Sequence, residues 1–514
     1  MQRMRKIKKF GSLLAATAIA VSGIFSFPSA AVYADDASTT YSYTYDIWGD
    51  VQSSPDAYRA TKHISGDMFE FEDAEGKTVA KNFVEPQGQF IRGNHIFVCD
   101  TGNNRIVEIA YDGKEYKGVR QITEFTDKNG EALTLNKPYD IYVTENYEMI
   151  ISDYGNERVL HVDKDCNVIK IMTTPAVTPF NDPVDARVFQ PQKLIMDTAG
   201  RIYVQAEKIN KGLLEFDTSG KFTQYVGASP VKFNMVDYIW RFFMTEKQIE
   251  AQPRFVPTEY NNVAIDSEGF MYVTMSVYDD NDFLTANPVR RLNSTGSDIL
   301  VRNGNDPPCG DLKWDNAGGY NGPSRFYDVV TFDNNSYCTI DQTRGRIFAY
   351  DFQGNLLYAF GGIGNRLGYF RKPVAIDRMG DSLFVLDGQY SNITVFELTE
   401  FGTLINKALR EYQNADYDKS AEYWNDVLRL NGNYDLAYIG VGRALLRQDK
   451  FAEAMEYFKA KRDRRNYSKA FEQYRKEQIE DHIGDFVKAL IVILVGIWLI
   501  KKVRKIQKEV RECD

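Results

Sequence analysis

Four stretches of this chain repeat nearly the same pattern. Each consists of a short apolar strand, an aspartate, a tight polar turn that often contains an arginine, and a second strand. The stretches are IFVCDTGNNRIVEIAYDG at 96–113, IISDYGNERVLHVDKD at 150–165, CTIDQTRGRIFAYDFQG at 338–354 and LFVLDGQYSNITVFE at 383–397. A unit this small cannot bury its own hydrophobic face, so its recurrence predicts several copies packed around a shared core.

Another strand precedes each unit, as in PYDIYV at 138–143 and PVAID at 373–377. When units are counted by the end of their second strand, the markers are Asp100, Asp153, Ala206, Met275, Asp341 and Asp387. The third and fourth units keep their strands but lack the aspartate. Six units predict a mainly β protein that closes as a six-bladed β-propeller. The segment MFEFEDAEGKTV at 68–79 is predicted to complete the last blade, so that strands from both ends of the domain close the ring.

The turn after the second strand resembles the D-x-x-N-x-R turn of NHL-repeat β-propellers. The resemblance covers 86–397 of a predicted propeller domain at 41–397. In such turns the aspartate accepts backbone N–H bonds, Asn or Gly tolerates a positive φ, and the arginine pairs across the blade. We therefore expect a structural role for the turn residues Asp100, Asn104, Arg105, Asp153, Asn156, Arg158, Asp341, Arg346 and Asp387.

Apolar segments lie near both ends of the chain. Residues 1–34 combine a basic start, an apolar core and small residues before Asp35, which predicts a secretory signal peptide; an uncleaved anchor is the alternative. Residues 483–503 predict a transmembrane helix about 31 Å long. The basic tail at 504–514 is expected in the cytoplasm. A buried C-terminal helix is the alternative to a single-pass protein of the cell membrane with most of its chain outside the cytoplasm.

Charge and cysteine content exclude several function classes. The formal charge is −9, but the signal carries +5 and residues 501–514 carry +3, which leaves −17 on the rest. Such an acidic exported domain argues against nucleic acid or anionic lipid as a partner. The five cysteines show neither the spacing of a zinc site nor that of a dense disulfide framework.

The strand pattern ends after Glu397, and residues 404–480 read as helical. Tyr417, Ser420, Tyr423 and Trp424 recur 34 residues later as Phe451, Ala454, Tyr457 and Phe458. This is the tetratricopeptide period, and YIGVGRALLRQDKFAEAMEYF at 438–458 resembles that repeat. Only one complete and one partial copy are recognisable, whereas an independent solenoid usually needs three. We therefore expect the segment to pack on the propeller or on a partner.

Long insertions carry the predicted binding surface. With strands lettered a to d from the centre outward, 174–189, 228–259 and 303–323 are d-to-a links and 275–288 is a b-to-c loop. Connections of both kinds emerge on one face of a propeller. Their aromatic residues suit a glycan or peptide ligand. The predicted ligand-binding residues are Tyr238, Trp240, Phe243, Tyr278, Trp314 and Tyr320. Alternatively, a helix at 236–251 plugs the channel and buries its aromatic residues.

Metal-dependent chemistry is the alternative function. Asp279, Asp280 and Asp282 offer oxygen ligands for Ca²⁺ but lack the spacing of a known calcium loop, so a solvated acidic loop is expected. Six-bladed lactonases that resemble gluconolactonase hold a metal with Glu, Asn and Asp, and NHL-type amidating lyases hold zinc with several histidines. The entrances of the a strands offer Gln87, Asp140, Gln192, Asn262 and Asp328, without a matching Glu. The histidines His63, His95, His161 and His482 are not expected to converge.

The combined pattern predicts a membrane-anchored extracytoplasmic binding or scaffold protein without a cofactor. Its propeller would present one face to a protein or glycan ligand, beside a membrane transport or cell-surface complex. A metal-dependent propeller enzyme, a lactonase-like hydrolase or a lyase, is the alternative. The fold class by itself decides neither.

The first prediction concerns membrane topology. A protease added to intact cells or protoplasts should digest residues 35–480 and spare a tag fused after Asp514, because the basic residues that follow Ile500 hold the C-terminus inside. Immunoblotting for the tag measures the protected fragment. Digestion of the tag would contradict the predicted orientation.

Overall fold

The chain folds around a ring of short antiparallel sheets. The computed structural model describes residues 41–513 except 73–77, 174, 176–188, 208, 210, 229–258, 276–286 and 313–322. The first strands are β1 (Tyr43–Tyr45), β2 (Val51–Ser53), β3 (Tyr58–Ser65), β4 (Glu70–Glu72) and β5 (Thr78–Ala80).

Six blades follow, each with its strands in sequence order from the centre outward. Blade 1 contains β6 (Gly88–Arg92), β7 (His95–Asp100), β8 (Arg105–Tyr111) and β9 (Tyr116–Ile122), after which β10 (Glu124–Thr126) and β11 (Ala132–Thr134) form a hairpin. Blade 2 contains β12 (Pro138–Val143), β13 (Met149–Asp153), β14 (Arg158–Val162) and β15 (Val168–Met172). Blade 3 contains β16 (Pro191–Met196), β17 (Ile202–Ala206), β18 (Leu213–Phe216) and β19 (Phe222–Val226).

The second half of the ring has the same order. Blade 4 contains β20 (Asn262–Ile265), β21 (Met271–Thr274) and β22 (Val289–Leu292). Blade 5 contains β23 (Phe326–Thr331), β24 (Tyr337–Asp341), β25 (Arg346–Tyr350) and β26 (Leu356–Gly361). Blade 6 contains β27 (Pro373–Met379), β28 (Ser382–Asp387) and β29 (Asn392–Leu398). The predicted six-bladed propeller is confirmed.

The N-terminal strand β3 closes the ring by pairing with β29, from Ser65 opposite Asn392 to Tyr58 opposite Leu398. The prediction that 68–79 supplies the closing strands is wrong. Within that segment β4 pairs with β5 in a separate two-stranded sheet. Phe71 packs against blade 1 at Gly118, where a β-carbon would lie only 2.8 Å from the phenylalanine ring. The eight-residue β3 is long enough to cover the whole blade edge, and three-residue strands are not.

Alternating side chains of each strand fill the spaces between blades. In β7, Ile96 and Val98 pack with residues of blade 6 such as Phe384, whereas Phe97 and Cys99 pack with residues of blade 2. Since successive side chains of a strand point to opposite faces, one strand contributes to two inter-blade cores. This explains why the units read as nearly continuous apolar runs.

Five helices follow the propeller. They are α1 (Glu400–Gln413), α2 (Tyr417–Leu430), α3 (Asp435–Arg447), α4 (Phe451–Ala460) and α5 (Arg464–Cys513), and each packs against the next. Close approach depends on two glycines of α3. A β-carbon at Gly440 would lie 2.4 Å from Trp424 of α2, and one at Gly442 would lie 2.6 Å from Phe458 of α4. We call α1 to α4 with residues 464–482 of α5 the helical arm.

The helical arm shares one hydrophobic core with blades 5 and 6. Phe401 and Ile405 of α1 are buried with Ile340, Val385 and other propeller residues. The Tyr434 hydroxyl donates to the Leu357 carbonyl at 2.7 Å. The helical segment therefore packs on the propeller, as its small number of repeats predicts.

The last helix is continuous from the arm through the apolar segment. By length and composition, α5 contains a stretch apolar enough to cross a membrane, and none of its most apolar window is buried. Exposed residues of this stretch include Ile483, Phe486, Val492 and Trp498. Sequence reasoning divided this region into repeats, a span and a tail, whereas the structure has a single helix from Arg464 to Cys513.

The second prediction tests the shared core. In a chain that ends at His482, Phe401→Ala should lower the free energy of unfolding by about 3–5 kcal/mol, because it removes a buried ring between arm and propeller. The matched control Phe471→Ala removes a ring that is 43% exposed, and we expect a change of about 0.5 kcal/mol. Urea unfolding followed by circular dichroism measures both. Equal effects would show that the arm does not stabilise the propeller.

Candidate functional site in the central channel

The propeller has two different faces. The inner strands β6, β12, β16, β20, β23 and β27 begin at the face that also holds the b-to-c turns, and we call this the entry face. They end at the face with the a-to-b and c-to-d turns, which we call the exit face. Gln413 of α1 donates to the Asn334 carbonyl, in an a-to-b turn, so the helical arm lies on the exit face.

The repeated aspartates fasten the entry face. Asp100 accepts the Val84 N–H at 2.7 Å and the Arg105 Nε–H at 2.7 Å. Asp153 makes the equivalent bonds with the Asn136 N–H and the Arg158 Nε–H, both at 2.8 Å. Each carboxylate therefore joins its b-to-c turn to the link that enters the same blade.

The other turn residues differ between blades in their backbone conformation and in their hydrogen bonds. Asn104 has a φ of 52°, but in the second blade the left-handed position belongs to Glu157, and Asn156 instead donates to Asp153 at 2.9 Å. Asp387 accepts the Arg371 N–H at 2.6 Å.

Blade 5 differs more from the pattern. Arg346 turns away from Asp341 and donates to Asp311 at 2.5 Å, where the Tyr43 hydroxyl also bonds. Arg344 approaches Asp341 instead, at 3.4 Å. The strand pair β1–β2, which extends this blade, explains the change, since it brings Tyr43 next to Arg346.

The predicted rim residues lie outside the residues that the structure describes. These are Tyr238, Trp240, Phe243, Tyr278, Trp314 and Tyr320, together with the acidic residues Asp279, Asp280 and Asp282. Before the segment with Trp314 and Tyr320, the Asn303 N–H donates to the Gln353 carbonyl in a c-to-d turn of the exit face. The chain beside 176–188 and 276–286 is anchored at the entry face. There the Gln190 carbonyl accepts from Glu207, and the Pro288 carbonyl accepts from Met275.

Two tyrosines close the channel near the entry face. The hydroxyls of Tyr139 in blade 2 and Tyr327 in blade 5 lie 3.2 Å apart. Blades 2 and 5 are opposite each other in a six-membered ring, so this hydrogen bond spans the channel. Burial raises the pKa of both phenols, so both stay protonated and the bond persists at neutral pH.

A layer of polar side chains lies one residue further along the inner strands. It consists of Asp140, Lys193, Asn262 and Asp328, with Gly88 at the equivalent position in blade 1 and Ala375 at the equivalent position in blade 6. Most of these side chains bond to the neighbouring blade. Asp140 accepts the Leu194 N–H at 3.2 Å, and Asp328 accepts the Ile376 N–H at 2.8 Å. The layer therefore ties adjacent blades together at the centre of the ring.

Lys193 supplies the buried cation of this layer. Its side chain is almost fully buried, and its ammonium lies 3.4 Å from Asp140 Oδ1 and donates to the Gln87 carbonyl at 3.2 Å. Burial alone lowers the pKa of Lys193, but the Asp140 and Asp328 carboxylates outweigh it and the pKa is raised. The ammonium therefore remains charged.

Two carboxyls of the channel hold their protons unusually well. Burial raises the pKa of Asp328 to about 6 and that of Asp377, two residues beyond the layer in blade 6, to about 7. Asp377 accepts the Ile91 N–H at 2.6 Å and so joins blade 6 to blade 1.

The layer forms the floor of a cavity of about 860 Å³ that opens on the exit face. Charged groups at its mouth are engaged by neighbouring groups. Arg378 donates to Asp333 and to the Thr331 carbonyl, both at 2.7 Å, while Arg92 donates to the Val143 carbonyl at 2.8 Å. The cavity can admit a small polar ligand from the side of the helical arm.

The channel does not fit the metal site of a lactonase. Asp140, Asn262 and Asp328 do converge, but Asn262 donates to Asp328 and accepts from Val263, and the Lys193 ammonium supplies the positive charge. Gln87 and Gln192 do not line the cavity. Within the described part of the chain, no group of three or more His, Cys, Asp or Glu side chains suits a metal ion.

The four histidines of the chain do not contact one another, and each has a different hydrogen-bond partner. His95 bonds to Glu108 and His161 to Glu148, each at 2.7 Å, and His63 bonds to Thr394. His482 lies on α5 and contacts its own helix. A lyase-like set of converging histidines is therefore not formed by these four residues.

A second cavity, of about 450 Å³, lies between the helical arm and blade 5. Its basic lining residues are Arg443, Arg447, Arg465 and Lys469. Arg465 donates to the Asn303 side chain of the propeller at 2.9 Å, so propeller and arm build this groove together.

Sequence reasoning missed Lys193, Asp377 and the tyrosine pair. A signal was present, because three inner strands begin with proline and carry the layer residue two positions later, as in Pro138 to Asp140 and Pro191 to Lys193. Alignment of the inner strands at these prolines predicts that the residues two positions later lie in the same layer of the channel.

Comparison with known proteins adds no family. No protein-family model matches this chain, and no curated protein matches it. Among solved structures, streptogramin B lyase is 12% identical with a TM-score of 0.36, covering 71% of this chain and 94% of its own. Virginiamycin B lyase from Staphylococcus aureus is 10% identical with a TM-score of 0.37, covering 61% and 95%. A Bacteroides thetaiotaomicron protein of unknown function is 10% identical with a TM-score of 0.38, covering 70% and 76%.

The third prediction follows from the raised pKa of Asp377. An unfolded aspartate has a pKa of about 3.9, so between that pH and about 7 the folded chain binds the proton more tightly, and raising the pH removes stability. Relative to Asp377→Asn, the wild-type free energy of unfolding should fall by about 2–3 kcal/mol between pH 5 and pH 7.5.

Urea midpoints at the two pH values measure this difference. Asp333→Asn, at the same cavity mouth with a side chain that is 73% exposed, is the matched control and should track the wild type. A wild-type advantage over Asp377→Asn that grows with pH would contradict the assignment.

Proposed function

We propose that this protein is a membrane-anchored binding protein in which the propeller carries the ligand surface and α5 holds it to the membrane. The observation that carries the proposal is the union of propeller, arm and apolar helix without a flexible connection. Thr399, directly after β29, caps α1 and bonds to the backbone of Ala57 at 3.0 Å. The position of the propeller is thereby fixed relative to the helix.

The length of α5 also supports this function. Residues 464–482 form about 28 Å of helix before the apolar stretch begins at Ile483. Part of the segment 464–482 packs on α4 and on the Asn303 loop, and the rest of that segment is exposed. The arm therefore acts as a spacer that holds the propeller away from the bilayer surface.

The entry face is the proposed ligand surface. The exit face holds the arm and is partly covered, whereas the chain beside the aromatic-rich insertions at 228–259 and 275–288 lies at the entry face. The insertion at 303–323 begins on the exit side, where Asn303 donates to the Gln353 carbonyl, and reaches the entry face at Arg325, which donates to Asp341. We propose a glycan or a protein of a membrane transport or cell-surface complex as the ligand, on the extracytoplasmic side. The internal bonding of Asp140, Asn262 and Asp328 favours this binding function over metal-dependent hydrolysis.

The fourth prediction tests the rim. Trp240→Ala combined with Trp314→Ala should reduce partner or glycan capture by the full-length protein at least about thirtyfold, since buried aromatic anchors typically contribute about 2 kcal/mol or more. Capture is measured by co-purification in detergent and by glycan arrays, together with a thermal melt.

The matched control is Trp48→Ala, which removes a tryptophan that is 66% exposed at the tip of the β1–β2 hairpin. We expect unchanged capture for this variant. A large drop in the melting temperature of the Trp240 and Trp314 variant would show instead that these rings plug the channel. The ligand surface would then have to be sought on the arm.

A further inference from the structure

The groove between the helical arm and blade 5 is basic, in contrast to the chain as a whole. Four basic and two acidic side chains line it, which gives the groove a net charge of +2. The chain without its signal and basic tail carries −17. Positive charge is therefore concentrated on one concave surface of an acidic molecule, and a cleft with an excess of one charge attracts ligands of the opposite charge.

The four basic side chains come as two pairs from two helices. Arg443 and Arg447 are one helical turn apart on α3, and Arg465 and Lys469 are one turn apart on α5. Like charges at this spacing destabilise a helix. Because two helices that line the same groove both carry such a pair, the arrangement favours an anion bound between them.

The acidic side chains near the groove leave it positively charged. Glu472 pairs with Lys476 at 2.9 Å, along its own helix. Asp351 is 3.9 Å from Arg443, and its carboxylate is also held by hydrogen bonds within its own turn. Asp449 is the other acidic lining residue. These contacts do not neutralise the four cations.

The donors of the groove suit a phosphate group. An arginine guanidinium has five N–H donors in a fork that fits phosphate oxygens, and Arg465 spends two of its nitrogens on Asn303. The Lys469 ammonium has no hydrogen bond or ion pair within the described part of the chain. A phosphate ester carries about −1.5 to −2 charges at neutral pH, which matches the net charge of the groove.

The size and the other lining residues of the groove suit a ligand larger than phosphate. Its volume of about 450 Å³ is typical of small-molecule sites. The amide residues Asn303, Gln353 and Gln473 line it together with the aromatic residues Tyr412 and Phe451. Amides hydrogen-bond to hydroxyl groups, and aromatic rings pack on apolar surfaces such as the faces of sugar rings.

We propose that this groove binds the phosphate ester of a soluble sugar or polyol. The site is distinct from the rim of the entry face. The Asn303 N–H donates to the Gln353 carbonyl at 2.7 Å, in a c-to-d turn, so the groove lies on the exit face. Binding in the groove therefore does not depend on the ligand surface proposed above.

The position of the groove along α5 favours a soluble ligand over a lipid headgroup. Lys469 precedes Ile483 by 14 residues, which is about 21 Å of helix. The headgroup layer extends only about 5–8 Å beyond the hydrocarbon core. If α5 anchors the protein as proposed above, a lipid phosphate in the bilayer cannot reach the groove. This step alone rests on the proposed function.

Isothermal titration of the full-length protein in detergent tests the site, with glucose 6-phosphate as the probe. We expect it to bind at least about fivefold more tightly than inorganic phosphate, because the sugar adds hydrogen bonds to the amides. Glucose should not bind, since it lacks the charge. No binding of glucose 6-phosphate, or affinity no higher than that of inorganic phosphate, overturns the proposal.

Two exposed lysines of the arm provide a matched pair of variants. Lys469→Glu reverses a charge in the groove, and Lys459→Glu makes the same change at the C-terminal turn of α4, outside its lining. Lys469→Glu should lower the affinity for glucose 6-phosphate at least about tenfold, since it removes a charged donor. Lys459→Glu should lower it less than about twofold, because solvent screens a distant charge. Equal losses overturn the site.

Thermal melts of the same two variants show that the loss is local. Without ligand, both should melt at the wild-type temperature, because both lysines are exposed. Glucose 6-phosphate should raise the melting temperature of the wild type and of Lys459→Glu, and should leave that of Lys469→Glu unchanged. A ligand-induced rise in Lys469→Glu as large as that of the wild type overturns the assignment to this groove.

Nanodiscs distinguish a soluble ligand from a lipid headgroup. The full-length protein is compared in discs of phosphatidylcholine alone and in discs with about one quarter phosphatidylglycerol, an anionic lipid. We expect equal affinity for glucose 6-phosphate in both, because the groove lies beyond the screening length of the surface. A clear loss with phosphatidylglycerol means that lipid phosphate occupies the groove, and the assignment to a soluble ligand fails. Capture by the rim is read on the opposite face, so failure of one site leaves the other measurable.

Discussion

The pairing of β3 with β29 is the constraint on which the rest of this structure depends. It joins residues more than 300 positions apart and supplies the outer strand of the last blade from the N-terminal part of the chain. The same strand seats the helical arm. Tyr58 stacks on Phe360 of blade 5 at 5.4 Å, and the carbonyl of Ala57, just before β3, accepts the N–H of Thr399 at the start of α1. Ring closure and attachment of the arm are therefore one packing event.

Much of the ring was predictable because its signal is local. An apolar strand, an aspartate and a polar turn repeat at close range, and each aspartate bonds within its own blade. The closing strand was not predictable in this way. The sequence YRATKHIS of β3 carries Lys62 and His63 between its apolar residues, whereas 68–79 shows a clearer alternation. Only the rest of the ring selects β3, through its length and the edge that it covers.

The side-chain contacts of the channel were also not predictable from local sequence. Tyr139 and Tyr327 are 188 residues apart, and Lys193 meets Asp140 from a different blade. Such groups converge only after closure, so strand-by-strand reasoning finds candidates but not their partners. The ion pair between Lys193 and Asp140 gives the layer a structural role. Removal of one partner from a buried ion pair leaves an uncompensated charge and is strongly destabilising. Ligand recognition is then more easily accommodated by outer loops than by this layer.

The absence of a hinge among the described residues between β29 and α5 has a consequence for binding. The propeller is a rigid extension of the arm, because Phe401, Ile405 and Tyr434 lock the arm to blades 5 and 6. The orientation of the entry face relative to the arm therefore does not have to be fixed when a ligand binds. The free energy of binding is then not reduced by the ordering of a linker, so fewer contacts at the entry face suffice for a given affinity.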